Sequence, residues 1–146
     1  MGDAEIWREH RGELVRYATV LVGPDAAEDV LSTVIERVLR RPGGLAGLRD
    51  ARPYLYRAVL NQSRNHLRST NHRRGWSDPA VIPAEARPEV VSAVGSLPER
   101  QRAAVYLRYW RDLPVGDVAG LMGCRAGTVK RYLHLARRRL RGVLEP

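Results

Sequence analysis

The chain has 146 residues and a mass of 16.4 kDa, with 25 Lys and Arg against 16 Asp and Glu and a net charge of +9. At 44% hydrophobic and 28% charged it can bury an ordinary core, and no run approaches the roughly 18 apolar residues that a membrane span needs, which excludes membrane insertion. The start Met1-Gly2-Asp3-Ala4-Glu5 has no apolar signal core and the single Cys124 excludes an internal disulfide framework, so a cytoplasmic protein is expected.

Helical periodicity begins at once. Ile6, Leu14, Tyr17, Ala18 and Leu21 recur at helical spacing up to the Gly23-Pro24 break. Asp25 stands three residues before Glu28, a capping-box spacing that opens a second helix with the apolar stripe Val30, Leu31, Val34 and Val38, ended by Pro42-Gly43-Gly44. Pro53 near Asp50 opens a third helix running to about Arg68. Pro79, Pro83 and Pro88 then crowd a stretch poor in periodic apolar residues, read as a linker over 75–89 between a domain at 1–74 and one at 90–146.

Beyond the linker, Ser96 and Glu99 repeat the cap spacing, and Ala104, Val105, Leu107 and Trp110 supply apolar contacts. Pro114 suits the first turn of a short helix from Val115 to Leu121, Met122-Gly123-Cys124 makes a turn, and a last helix runs from about Arg125 to Leu144. Its Val129, Leu133, Ala136 and Leu140 place one narrow apolar face inward. No strand-like alternation of useful length occurs, so the expected fold is all-α, two small helical domains joined by a Pro-rich linker.

The charge is not spread evenly. Residues 51–74 carry 6 basic and no acidic groups, and 97–146 carry 11 basic and 4 acidic, whereas 1–50 and 75–96 are each slightly acidic. Lys130 is the only lysine, a bias that genome composition explains, but codon bias does not explain two separate positive blocks. Two such blocks suit a surface that binds a polyanion in two places.

Catalytic chemistry is not supported. His10, His66, His72 and His134 have no paired spacing, one cysteine cannot build a zinc site, and no phosphate loop or nucleophile elbow occurs. No cofactor and no metal site are expected, and the cluster Asp25, Glu28, Asp29 reads as a helix start.

Two constellations remain. The short helix, glycine turn and longer helix form a helix-turn-helix, whose second helix enters the DNA major groove. Opposite its apolar face lie Gly127, Arg131, His134 and Arg138, flanked by Thr128 and Lys130, with Arg125 at the start. The run Arg137, Arg138, Arg139 and Arg141 either holds phosphates or solvates the helix end. In the third helix Arg57, Asn61, Arg64 and Arg68 share one face, with no acid between Ala51 and Arg74 to pair with them. Asn61 and Asn65 can bond base edges, while Tyr54 and Tyr56 either stack on unpaired bases or pack in the core.

The order of motifs resembles a group IV bacterial sigma factor of the extracytoplasmic-function type. The resemblance is carried by Ala27-Glu28-Asp29-Val30-Leu31, Pro53-Tyr54-Leu55-Tyr56-Arg57 with Asn61 and His66-Leu67-Arg68, Leu97-Pro98-Glu99-Arg100-Gln101-Arg102, and Gly127-Thr128-Val129-Lys130 followed by Leu133-His134. It implies a region 2 and a region 4 domain bound to core RNA polymerase, at the clamp of the β′ subunit and at the β flap, with promoter DNA and an anti-sigma factor as further partners. Polymerase docking would fall to Glu28, Asp29, Leu31, Ser32 and Ile35. The non-template strand of the proximal promoter element would be held by Tyr54, Arg57, Asn61, Arg64, Asn65 and Arg68. The distal element would be read as duplex by Arg125, Gly127, Thr128, Lys130, Arg131, His134 and Arg138. Ser32 and Thr33 stand where the family usually has Gln and an acid, Ile35 and Leu39 replace aromatics, Asn65 replaces Asp, and Tyr132 and Leu135 stand where Arg is common. The rival readings are a helix-turn-helix regulator that is not a polymerase subunit, and a helical adaptor without nucleic acid.

Overall fold

The computed structural model describes residues 2–70 and 88–144. Among these every regular element is a helix: α1 (Asp3–Val22), α2 (Pro24–Arg40), α3 (Ala51–Thr70), α4 (Pro88–Gly95), α5 (Glu99–Val105), a π-helical turn (Tyr106–Trp110), α6 (Val115–Met122) and α7 (Ala126–Leu144).

The first three helices pack on one another because each carries one apolar stripe. In α2 that stripe is Val30, Leu31, Val34 and Val38, all buried, each contributing about 1.5–3 kcal/mol by leaving water. Leu14, Tyr17, Ala18 and Leu21 of α1 and Leu55, Tyr56, Val59 and Leu60 of α3 complete that layer. A part-buried ion pair from Arg52 Nε to Glu13 Oε1, 2.7 Å, ties α3 to α1. Burial alone would raise the Glu13 carboxyl, but the hydrogen bond from Arg52, the nearby Tyr56 hydroxyl and the charges of Arg52 and Arg111 together outweigh it and hold the group below its ordinary range. The loop before α3 is pinned by Asp3, which accepts the Ala46 amide at 2.8 Å.

The second half is centred on α7, against which α4, α5 and α6 pack. α4 opens at Pro88, two residues inside the stretch read as linker; the rest of 75–89 lies outside the described residues, as does His72. The α5 helix widens into a π turn, where the Arg111 amide reaches the Tyr106 carbonyl at 3.0 Å, and Asp112 leaves it at φ 54. That extra residue per turn keeps Tyr106 and Leu107 buried while Tyr109 is exposed.

Both expected capping boxes are absent. The α2 helix starts at Pro24 after Gly23 at φ 87, with no side-chain cap, and Glu28 pairs instead with Arg11 at 2.9 Å. The α5 helix starts after Pro98, again without a side-chain cap, while Ser96 Oγ donates backward to the Ala93 carbonyl at 2.6 Å. A proline at the helix entrance sets the backbone and lacks an N–H, so the serine or aspartate near it is left out of register for capping.

The two halves share one hydrophobic core. Tyr17 of α1 lies 4.8 Å from the ring of Tyr56 and 6.2 Å from that of Tyr106, and α3 packs directly on α6. Arg102 crosses between them: it is 7% exposed and donates to the Val20 and Leu21 carbonyls at the end of α1, at 3.2 and 2.9 Å, and to the Leu97 carbonyl at 2.8 Å. A cation there answers the unpaired carbonyls of a helix C-terminus.

Candidate nucleic-acid interface

The α6 helix closes on Gly123 at φ 70 and ψ 37, and the amides of Gly123 and Cys124 both return to the Ala119 carbonyl. This left-handed cap turns the chain sharply, and glycine adopts it without the strain a side chain would bring. Cys124 is half-buried, which pushes its thiol up. After Arg125 the chain enters α7, with Val129, Leu133 and Ala136 buried and Leu140 packed at the edge.

That burial fixes the other face. Arg125, Gly127, Lys130, Arg131, His134 and Arg138 are all exposed, and Thr128 is half-buried. A Cβ at Gly127 would meet nothing within 4 Å, so this point of the helix start is open for close approach. The structure therefore brings the expected duplex-facing residues together on one surface. Tyr132 packs at the edge of the core, and Arg137 donates to the hydroxyl of exposed Tyr109 at 3.1 Å, tying α7 to the π turn.

The α3 set is divided. Asn61, Asn65 and Arg68 are exposed on one face. Tyr56 is fully buried, so it packs in the core, and Tyr54 is half-buried with the Arg41 guanidinium 5.5 Å from its ring centre. Arg57 Nε donates to the Gly120 carbonyl at 3.0 Å, and Arg64 Nε stands 3.8 Å from Glu99 Oε1. These two cations point toward the second half of the chain instead of standing with Asn61 and Asn65.

On α2, Glu28, Asp29 and Ser32 are exposed and Ile35 is half-buried. Leu31, expected to dock on polymerase, is 2% exposed and faces the protein's own core, as its place in the apolar stripe requires. Leu39, at 54% exposure, occupies that outer face one turn beyond Ile35, and its spacing from Ser32 and Ile35 was the signal for it. Among the described residues no three His, Cys, Asp or Glu side chains are grouped to hold a metal ion.

Comparison with known proteins decides the family. A model of sigma-70 region 4 matches residues 87–140. The RNA polymerase sigma-E factor of Streptomyces antibioticus is 33% identical over 153 residues, covering 97% of this chain and 83% of that protein. The ECF RNA polymerase sigma factor SigL of Mycobacterium tuberculosis is 30% identical, covering 96% of this chain and 87% of its own length. This chain belongs to the ECF RNA polymerase sigma factors. The fold of the sigma factor also matches that of the sigma factor RpoE from Bartonella quintana, solved with the anti-sigma factor NepR, at a TM-score of 0.71 and 21% identity over 97% of this chain and 96% of that one. The region 4 match of this sigma factor begins at α4 and ends within α7. None of its helices is long and apolar enough among the described residues to cross a membrane.

Proposed function

We propose that this sigma factor binds core RNA polymerase and directs it to promoters, reading the distal element with α7 and holding the melted non-template strand of the proximal element with α3. The observation that carries the reading is the exposed face of α7, where Lys130, Arg131, His134 and Arg138 surround an open Gly127 beyond a glycine-capped helix-turn-helix. Arginine on such a face can bond guanine through two donors, and neighbouring cations hold phosphates. Polymerase contact falls to the outer face of α2, with Glu28, Asp29, Ser32 and Ile35 joined by Leu39 and without Leu31, at the β′ clamp, and region 4 meets the β flap.

The protein acts as a cytoplasmic binding subunit, nucleoid-associated when active, with no catalysis and no cofactor of its own. Binding to the unpaired strand offsets the cost of melting. An anti-sigma factor is the regulatory partner expected for such a subunit. The deciding experiment mixes the chain with core polymerase on genomic promoter fragments. Specific initiation is expected; DNA binding without initiation would identify a simple regulator, and neither activity would leave a helical adaptor.

A further inference from the structure

The π turn at the end of α5 sends an aromatic side chain outward where the helical repeat would bury it. Tyr109 stands three residues after Tyr106, a spacing that keeps two side chains on one face of a regular α-helix. Yet Tyr106 is 4% exposed and Tyr109 is 50% exposed. The widened turn, closed by the Arg111 amide on the Tyr106 carbonyl, breaks the register between them. Turns of this kind gather at functional sites, and a ring left half in water forgoes burial that packing alone would favour.

Two arginines use this ring in different ways. The Arg108 guanidinium stands 5.5 Å from its centre, and Arg108 Nη1 lies 3.9 Å from Asp112 Oδ1. Arg137 of α7 donates from Nη2 to the Tyr109 hydroxyl at 3.1 Å. That anchor differs from those of Arg11, Arg40 and Arg52, which are held by the carboxylates of Glu28, Glu36 and Glu13. A carboxylate orients a guanidinium and offsets its charge, whereas a phenol orients it and leaves the charge whole. The bond occupies one of the five guanidinium donors, so a fork of two remains for an anion.

The place of Arg137 on α7 says which anion. Lys130, His134, Arg137 and Arg141 recur at i, i+4, i+7 and i+11, all exposed, and line one flank of the helix beside the face that holds Arg131 and Arg138. The helix contains no acid. A helix lying in the major groove turns its flanks to the sugar-phosphate walls, so a flank cation meets phosphate while the central face meets bases.

We propose that Tyr109 is a positioning residue that holds Arg137 ready for one phosphate of the distal-element duplex. The proposal rests on the reading of α7 as the duplex-reading helix. A guanidinium already oriented loses less side-chain freedom on binding, so the tyrosine raises affinity without touching a base. It acts through Arg137 alone.

The test uses the full chain assembled with core polymerase on a genomic promoter duplex. Each phosphate across the distal element is replaced in turn by a neutral methylphosphonate, and duplex affinity is measured. Wild type should lose about tenfold at one phosphate on the groove wall. Arg137→Ala should show a similar loss on the unmodified duplex and become indifferent to that replacement, with the other phosphate effects kept. Tyr109→Phe keeps the ring and removes only the hydroxyl. It should weaken the unmodified duplex about two- to fivefold, blunt the effect at that one phosphate, and add nothing in an Arg137→Ala background. A loss that persists in that background, or that spares the phosphate effect, overturns the positioning role. An Arg137→Ala profile identical to wild type overturns the phosphate contact, and weaker capture of core polymerase in its place would assign the pair to a protein partner. Wild type with no preference for the promoter over a scrambled duplex overturns the reading of α7 itself, a failure separate from that of the tyrosine.

Discussion

Arg131 and Arg138 lie seven residues apart on the exposed face of α7, yet their positions relative to the helix start give them different work. Arg131 is within two turns of Gly127, where a recognition helix reaches base edges, so Arg131→Ala should remove the preference at one promoter base, about 1–3 kcal/mol of discrimination. Arg138 is two turns further on, and Arg138→Ala should weaken binding to all sequences alike and lower the slope of log affinity against log salt by about 0.9. Affinities of both variants for a set of single-base promoter changes at several salt concentrations separate the two, and equal loss on every promoter for Arg131→Ala would falsify its role. Tyr17 makes a different residue-scale point. It is fully buried, and its hydroxyl has no hydrogen-bond partner among the described residues. Tyr17→Phe keeps the ring contacts and removes that group, so it should stabilise the protein by about 1 kcal/mol in urea unfolding.

At the scale of elements, Gly123 links the turn of region 4 to the face of α3. Gly123→Ala would place a side chain at φ 70 and 3.1 Å from Arg57 Cδ, costing about 1–2 kcal/mol of backbone strain before any movement of the arginine; thermal unfolding measures it, and an unchanged Tm would count against a required left-handed cap. Leu39 tests the outer face of α2: being exposed, Leu39→Asp should leave stability within about 0.5 kcal/mol while weakening capture of core polymerase in a pull-down titration. The helices themselves were legible because the 3.6-residue repeat survives in every long one, and α7 could be oriented from Val129, Leu133, Ala136 and Leu140 alone. The starts of α6 and α7 were legible as well, whereas those of α2 and α5 were not, since Pro24 and Pro98 displaced the side-chain caps that Asp25 and Ser96 suggested. Leu31 shows periodicity outweighing motif analogy, for a residue in the buried stripe cannot also face a partner. The division of the α3 stripe was hidden altogether: Arg57, Arg64 and Arg102 meet partners 63, 35 and 82 positions away in the chain, and no local pattern encodes such contacts.

Across the whole molecule, the shared core makes the two halves one thermodynamic unit, and high pH should test it most directly. Tyr17, Tyr56 and Tyr106 line the contact between the halves, and burial raises all three hydroxyls above their ordinary value near 10. Folded tyrosines therefore keep their protons above pH 10 while unfolded ones lose them. The folded state then binds more protons, so stability falls as pH rises, approaching ~1.4 kcal/mol per pH unit for each such tyrosine once the unfolded side chains are ionised. Arg102 works in the opposite sense. Burial pushes its guanidinium down to about 10 against an ordinary 12.5, the nearby Glu99 charge only partly opposing this, so between those values the unfolded state holds the extra proton and stability rises. Three groups against one leave a net loss, and urea unfolding followed by tryptophan fluorescence should give a midpoint that declines from pH 10 upward. With Arg102 opposing the three, Tyr17→Phe takes the net from two groups to one and should flatten that decline by about half, whereas Arg102→Met should steepen it. A midpoint that stays level from pH 9 to 11 would mean that the tyrosines between the halves are open to water.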